Sequence, residues 1–463
     1  MKMSYERVRP PFDAKRRELL ARGGVAAALL AGGGGLQAAQ TKLSMPSSKR
    51  SARIVIVGAG TAGMVAAARL RRAAPNAKIT LIAPSADHLY QPGQLFVAAG
   101  LYSQARNVMR TADLLPEGVE WRRESVTAFD PHSNSLQTDG SAKVPYDFLI
   151  VAAGCRYDFE AIRGLDRSMI GRDGIASVYL NDTLKGSATG GDLTREWFVR
   201  IRKESEKRSL EVVLADPPTP VKGEGVSLDT LFLCDDMLRG NGPLGGSGRH
   251  GSVRFFLAKP GDRLLGSSFF DKLLKKRLSA RKNVESRFGY ELESVDPARR
   301  VATFLSEGVE KEVAYDFLHV TPPMRPPEVV EESPLAATDG EYRGWLDVDA
   351  QTLRHREFSN VFGIGDVIGY GAKSGGAARD QAIVMQDNIA AALEEKPLPA
   401  RYLGYTVTPI RIRYGREIMA EYDERGIDPT FPLDPAEARW IWWQIDLHLM
   451  RWVYFRLIMH GMM

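Results

Sequence analysis

Arg53 to Gly63 read RIVIVGAGTAG, a short β-branched run that ends in Gly58-x-Gly60-x-x-Gly63. The run predicts a buried strand, and the apolar-periodic stretch from Met64 to Leu70 behind it predicts a helix. Each glycine then has its own duty: Gly58 makes the tight turn, Gly60 lets the backbone approach a pyrophosphate, and Gly63 lets the helix pack close on its strand. A pyrophosphate would lie against free N–H groups at the positive end of that helix. A second strand from Ile79 (ITLIAPS) completes a β-α-β unit. The expected fold class is therefore α/β, with a doubly wound, dinucleotide-binding domain.

A second phrase far downstream, Asn360 to Asp366 (NVFGIGD), brings Gly365-Asp366 to the carboxyl end of an apolar strand, where ligands bind in such folds. An acid there can accept hydrogen bonds from ribityl hydroxyls, so the two phrases in this order point to a flavin, FAD. Between them, Tyr146 to Gly154 (YDFLIVAAG) is a buried strand whose small last residues let backbone approach the cofactor. Lys373-Ser374-Gly375-Gly376 opens a long helix running through Ala392. Its N-terminus and Lys373 would stabilise negative charge at the flavin's pyrimidine edge, the alternative being a solvated surface lysine. One feature departs from the fingerprint. An acid about 20 residues past the last glycine usually holds the ribose, but Ala83-Pro84 stands there, leaving Ser85 or Asp87 to compensate.

A second strand-led unit begins at Leu210 (LEVVLAD) and continues through a helix at Ser227 to Leu238 and a strand at Val253 to Leu257. Gly186 to Gly191 reads as a linker and Gly240 to Gly251 as a Gly-rich loop. The expected plan is residues 1–50 as export signal and linker, 51–165 and 331–400 as two parts of an FAD domain, 166–330 as a second Rossmann-like domain, and 401–463 as a C-terminal interface. A nicotinamide site in the second domain would need its own glycine fingerprint. The chain offers Asp216-Pro217-Pro218-Thr219-Pro220 instead, and prolines supply no backbone donors to a pyrophosphate. NAD(P) is therefore not expected.

The two ends are unlike the middle. Lys15-Arg16-Arg17 precedes an uncharged Ala/Gly/Leu-rich run from Gly23 to Ala39, which reads as a twin-arginine-type export signal and implies the periplasmic face of a membrane. A low-complexity tail or an uncleaved anchor are the other readings. Trp440 to Met463 (WIWWQIDLHLMRWVYFRLIMHGMM) holds four of the seven tryptophans. Asp446, Arg451 and Arg456 make it a poor membrane span, but Trp, Tyr and Arg beside Leu and Ile suit an amphipathic helix in the membrane interface. The alternatives are a helix that caps the core or a seam in a homo-oligomer.

Composition excludes several classes. With 463 residues the chain exceeds one ordinary core, and 44% hydrophobic with 26% charged residues describes a globular protein. A net charge of +5, scattered rather than gathered in a stripe, gives no support to nucleic-acid binding. Two cysteines, Cys155 and Cys234, and seven histidines without paired spacing make a metal site unexpected.

These phrases in this order resemble the sulfide:quinone oxidoreductase family, close to flavocytochrome c sulfide dehydrogenase. The resemblance rests on the Gly58 loop, His88-x-Tyr90-Gln91-Pro92, Tyr146 to Val151, Asp235-Asp236-x-Leu238-Arg239, Gly365-Asp366, Lys373-Ser374, Tyr402-x-Gly404-Tyr405-Thr406 and the Arg/Trp-rich tail. It implies a membrane-associated FAD protein in which Gly58, Gly60, Gly63, Gln91, Gly154, Gly365, Asp366 and Lys373 hold the cofactor and a quinone takes the electrons. The family oxidises sulfide through two redox cysteines, whose positions fall here on Gly223 and Thr408. Neither residue can carry sulfane sulfur or cycle through a disulfide, which leaves Cys155, or a Cys155–Cys234 pair, as the substitute. The resemblance thus implies a quinone-linked FAD oxidoreductase with a small donor, sulfur-containing or other. A cytochrome c acceptor and a flavin-binding scaffold without catalysis are the alternatives.

Overall fold

The computed structural model describes residues 46–181, 188–246, 248 and 253–463. The export-signal reading falls on residues 1–45, and part of both Gly-rich loops also lies outside the described residues.

The strand Arg53–Val57 sits at the centre of a five-stranded parallel sheet, flanked by Phe148–Val151 and Lys78–Ile82, with Val361–Gly363 and Val119–Arg122 at the edges. Counted along the chain this is order 3-2-1-4-5, in which direction reverses between Arg53–Val57 and Phe148–Val151. Ligands bind in the crevice at the carboxyl ends of such a pair. Both strands read as continuous apolar runs because helices cover the sheet. The helices Thr61–Ala73 and Gly375–Leu393 pack side by side against it, and their Met64, Val65, Ala382 and Met385 share one core with Ile54, Ile56 and Ile150.

The second unit repeats the pattern. Leu210–Ala215, Val253–Lys259 and Val284–Phe288 run parallel on one side, and Phe317–Val320 with the edge strand Ile175–Ala176 on the other. The chain crosses between the domains twice, and the crossing segments Arg156–Tyr157 and Met324–Arg325 pair antiparallel. The linker expected to reach Gly191 stops earlier. Thr189 closes a capping box with Asp192, so Gly190 and Gly191 form the first turn of the helix Gly190–Ser205.

The described residues near both ends of the chain are tied to the fold. Residues 1–50 are not all outside the fold: Ser48 is buried, its N–H donates to Ala73 O at 2.8 Å, and Arg50 pairs with Glu395 at 2.7 Å. Polar side chains at the end of Gly375–Leu393 thus hold the leader's last residues on the flavin domain. The tail, likewise, is integral to both domains. It is helical from Trp440 to Ile458, with π turns at Ile445–Met450 and Tyr454–Ile458. Trp443 and Leu447 enter the core of the second domain, while Tyr454, Phe455, Ile458 and Met459 enter that of the first. Trp440, Ile441, Trp452, Met462 and Met463 remain exposed. Among the described residues no helix is long and apolar enough to cross a membrane.

Candidate functional site

The Gly58 turn has the form its sequence requires. Gly58 has φ +104°, and a Cβ there would stand 2.3 Å from Ala152 O; a Cβ on Gly63 would stand 1.8 Å from Gly58 O. The first contact joins the turn to the strand across the switch point, and the second seats the helix on it. Cβ atoms on Gly60, Gly154 and Gly375 would instead meet nothing within 4 Å. Open backbone therefore lines the crevice, at two helix N-termini and one strand end. This cradle fits a dinucleotide: Gly58 to Gly63 would hold its pyrophosphate, and the open backbone at Gly154 and Gly375 would admit its ring system.

The ribose end is altered as the sequence indicated. Trp121 Nε1 donates to Ala83 O at 3.0 Å, and the Ser85 hydroxyl donates to Asp87 O at 2.7 Å. Ser85 is thus committed to the backbone, and of the two candidates the Asp87 carboxylate is the one left for a ribose.

At the other end Lys222, Asp366, Lys373, Tyr157, Gln91 and Cys155 come together. Lys222 Nζ lies 3.0 Å from Asp366 Oδ2 and 3.5 Å from Tyr157 OH, which donates to Gln91 Oε1 at 3.4 Å. Burial works against the charge on Lys222, but Tyr157, Asp366 and Cys155 outweigh it and hold its pKa well above the usual lysine value. Lys373 is buried, so the surface-lysine alternative is excluded. Its Nζ donates to Asp366 O and Ile368 O, both at 2.8 Å, and sits 3.8 Å from the Trp345 ring centroid. Burial pushes its pKa down to about 8, against the pull of Asp366 and Cys155. Ser374 caps the helix that follows, accepting from Ala377 N at 3.0 Å.

Gly223, one of the two positions that the resemblance assigns to redox cysteines, borders this cluster, and the other, Thr408, lies against Gly225, two residues further along. Gly223 N donates to Lys373 O at 3.1 Å, and a Cβ on Gly225 would lie 3.3 Å from Thr408 Cγ2. Gly223 has φ +70°, in the left-handed region that glycine favours. Both cysteines are free. Cys234 is fully buried in the core of the second domain, while Cys155 borders a different cluster beside Lys222, and burial pushes both thiols up. A Cys155–Cys234 relay has no support in this arrangement.

Two participants, Tyr454 and Arg411, were not singled out by the sequence, and a third, His88, was marked only as part of a resembling motif. Tyr454 OH, from the tail, bonds Thr61 Oγ1 at 2.7 Å and His88 Nε2 at 2.6 Å, while His88 Nδ1 reaches Ala59 O at 2.9 Å. The tail therefore buttresses the glycine loop from behind. Burial lowers the pKa of His88 to about 4, so it is a neutral ring at neutral pH. Arg411 stands three residues past Thr408. Its Nη1 lies 2.6 Å from Asp229 Oδ2, its Nη2 pairs with Asp446, and its guanidinium sits 4.7 Å from the Phe96 ring centroid. Burial pushes Asp229 up to about 6 against the pull of Arg411, and raises buried Glu417 well above its usual range, with Asp446 adding to that. Through Arg411 the helix Val226–Leu238, the strand Thr406–Arg413 and the terminal helix are tied at one point.

Comparison with known proteins agrees with the fold. Residues 52–182 match the pyridine nucleotide-disulphide oxidoreductase family. The mitochondrial sulfide:quinone oxidoreductase of Dictyostelium discoideum is 29% identical over 421 residues, covering 90% of this chain and 86% of that one. Among solved structures, the sulfide:quinone oxidoreductase of Aquifex aeolicus superposes with a TM-score of 0.70 at 18% identity over 88% of this chain and 92% of that one. A chain of the Tetrahymena thermophila mitochondrial ATP synthase superposes with a TM-score of 0.73 at 17% identity, over 89% of this chain and 96% of that one. At such identities the two superpositions bear on the fold alone.

Proposed function

The chain is an FAD-dependent oxidoreductase that resembles the sulfide:quinone oxidoreductases, and from that premise we propose that it oxidises a small anionic sulfur donor and delivers the electrons to a quinone. The observation that carries this reading is the Lys222 ammonium, held charged by Asp366 and set between Tyr157 and Cys155 next to Gly223. FAD supplies the two-electron carrier between donor and acceptor. Lys222 draws an anion such as hydrosulfide to the face left open at Gly154, and Tyr157, which accepts from Lys222 and donates to Gln91, orients the ammonium. Lys373 and the N-terminus of Gly375–Leu393 offset negative charge at the far end of the cradle. With no thiol at positions 223 and 408, sulfur oxidised by two electrons leaves on a second small nucleophile rather than on a protein disulfide.

The exposed Trp440, Ile441 and Trp452 support a seat in the membrane interface, from which a quinone enters along the terminal helix. Asp216-Pro217-Pro218 at the end of Leu210–Ala215 supports a second domain without nicotinamide, and the Arg16-Arg17 leader supports work on the periplasmic face. Positive φ at Gly223 favours one other reading, a flavin-binding scaffold that has given up catalysis. Reduction of the purified protein by dithionite, followed by a soluble quinone or by oxidised NAD, separates them. Rapid return of the visible band with quinone and its persistence as bleached with NAD are expected; a band that returns with NAD, or with neither, refutes the quinone reading.

A further inference from the structure

Away from the flavin cradle, a cleft of about 530 Å³ opens between the end of the helix Ser268–Ser279 and the turn that joins Thr406–Arg413 to Arg416–Asp423. Its walls carry Arg277, Arg281, Arg413 and Arg416 against a single acid, Glu437. Glu437 is already engaged by Arg439. Arg281 is also committed: its Nε faces Asp235 at 3.4 Å, and its Nη groups donate to Arg277 O at 3.0 Å and Ile412 O at 3.1 Å. Arg277, Arg413 and Arg416 make no ion pair with a described residue, and the buried Arg277 Nε has no hydrogen-bond partner.

Surface arginines are ordinarily solvated and need no explanation. These differ because they converge on one concavity, and burial lowers the pKa of both Arg277 and Arg281. A partly desolvated cation without a counter-charge is costly. A helix C-terminus adds partial negative charge at this end, which Arg281 caps through Arg277 O. The guanidinium groups of Arg277, Arg413 and Arg416, none in an ion pair, line the cleft, with the Asp236 carboxylate near enough to feel the charge on Arg413. Planar forks of this kind match carboxylate and phosphate bidentately, and a phosphate brings more acceptor oxygens to three of them than a carboxylate does.

We propose that this arginine cleft binds a phosphate-bearing anion, either as a free phosphate compound or as the headgroup of an anionic lipid. Its mouth supports the second source: Glu437 and Ala438 line it and lead directly into Trp440 and Ile441, which are 55% and 40% exposed. The inference does not rest on the electron-transfer reading, since none of these side chains touches the flavin cradle.

The test uses the full flavin-bound chain and a double variant, Arg413→Gln with Arg416→Gln, whose exposed side chains lie outside both cores. Flavin content reports that the variant is folded. A second double variant, Lys272→Gln with Lys276→Gln, removes equal charge from exposed positions outside the cleft. Inorganic pyrophosphate is titrated by calorimetry, and flotation is measured with vesicles of phosphatidylcholine alone or mixed with phosphatidylglycerol. Saturable pyrophosphate binding that falls roughly tenfold or more only in the arginine variant assigns a soluble ligand. Flotation with the anionic vesicles alone that falls equally, again only in the arginine variant, assigns a headgroup. If the arginine variant matches the parent in both measurements, or the lysine variant loses as much, there is no such site.

Discussion

Lys222 Nζ stands 3.0 Å from Asp366 Oδ2, which joins the residue before Gly223 to the carboxyl end of the flavin-domain strand Val361–Gly363. A cation thus stands beside position 223, where the resemblance implies a cysteine. Lys222→Met removes it and leaves Asp366, only 16% exposed, without its partner. The expected outcome is a folded flavoprotein that hydrosulfide bleaches about 100-fold more slowly, the usual cost of losing one electrostatic donor. Lys222→Arg should recover most of the rate. Anaerobic stopped-flow absorbance measures both, and an unslowed Lys222→Met would remove Lys222 from the donor site.

Putting the cysteines back should not come free. Gly223 has φ +70°, and a Cβ there would approach Val226 Cγ2 to 2.9 Å. Gly223→Cys is expected to lower stability by about 1–3 kcal/mol, whereas Thr408→Cys, on a regular strand, should be close to neutral. Denaturant unfolding of the two single variants decides this. Equal stability would mean that the backbone at 223 had not adapted to glycine.

The tail should behave as part of the fold. Removing residues 440–463 takes Trp443, Tyr454, Phe455 and Met459 out of two cores, and the expected product is insoluble or lacks flavin. Tyr454→Phe is milder. It leaves the Thr61 hydroxyl and His88 Nε2 short of a partner, at about 1–3 kcal/mol, and should show as faster loss of flavin on dilution. Trp440→Gln with Trp452→Gln should instead keep the flavin and lose vesicle binding.

Acid stability should report His88. Its ring titrates near the ordinary 6.5 in the unfolded chain and at about 4 in the fold. Above the unfolded value it has no effect on stability. As pH falls from there toward 4 the unfolded chain takes up a proton that the fold refuses, costing up to about 3 kcal/mol. Asp229, raised to about 6, works in the opposite sense, so the comparison is with His88→Gln. The variant should lose less stability than the parent across that window in urea melts, and parallel curves would contradict the assignment.

What the sequence made legible was local. The Gly58 turn, its strand and its helix lie within one β-α-β unit, where Gly58 and Gly63 each answer to a close backbone contact and Gly60 to open space. Gly223 and Thr408 were legible only through resemblance, and the fold sets Thr408 against Gly225, two residues past Gly223. The Lys222–Asp366 pair was not, because the two residues meet only after an inserted domain has closed between them. Nor was the anchoring of the tail: Tyr454 reads as one aromatic in an aromatic helix until the fold places it behind Ala59 and Thr61. Asp446 looked like an interruption of an interfacial helix, and it is the residue through which Arg411 fastens that helix to the second domain.

The most direct measurement adds hydrosulfide anaerobically to the purified protein in detergent, follows the flavin's visible band, and then adds a soluble quinone. The predicted result is bleaching followed by recovery, both retained in Cys155→Ala. A band that dithionite bleaches but hydrosulfide leaves intact would contradict oxidation of this donor without a cysteine pair.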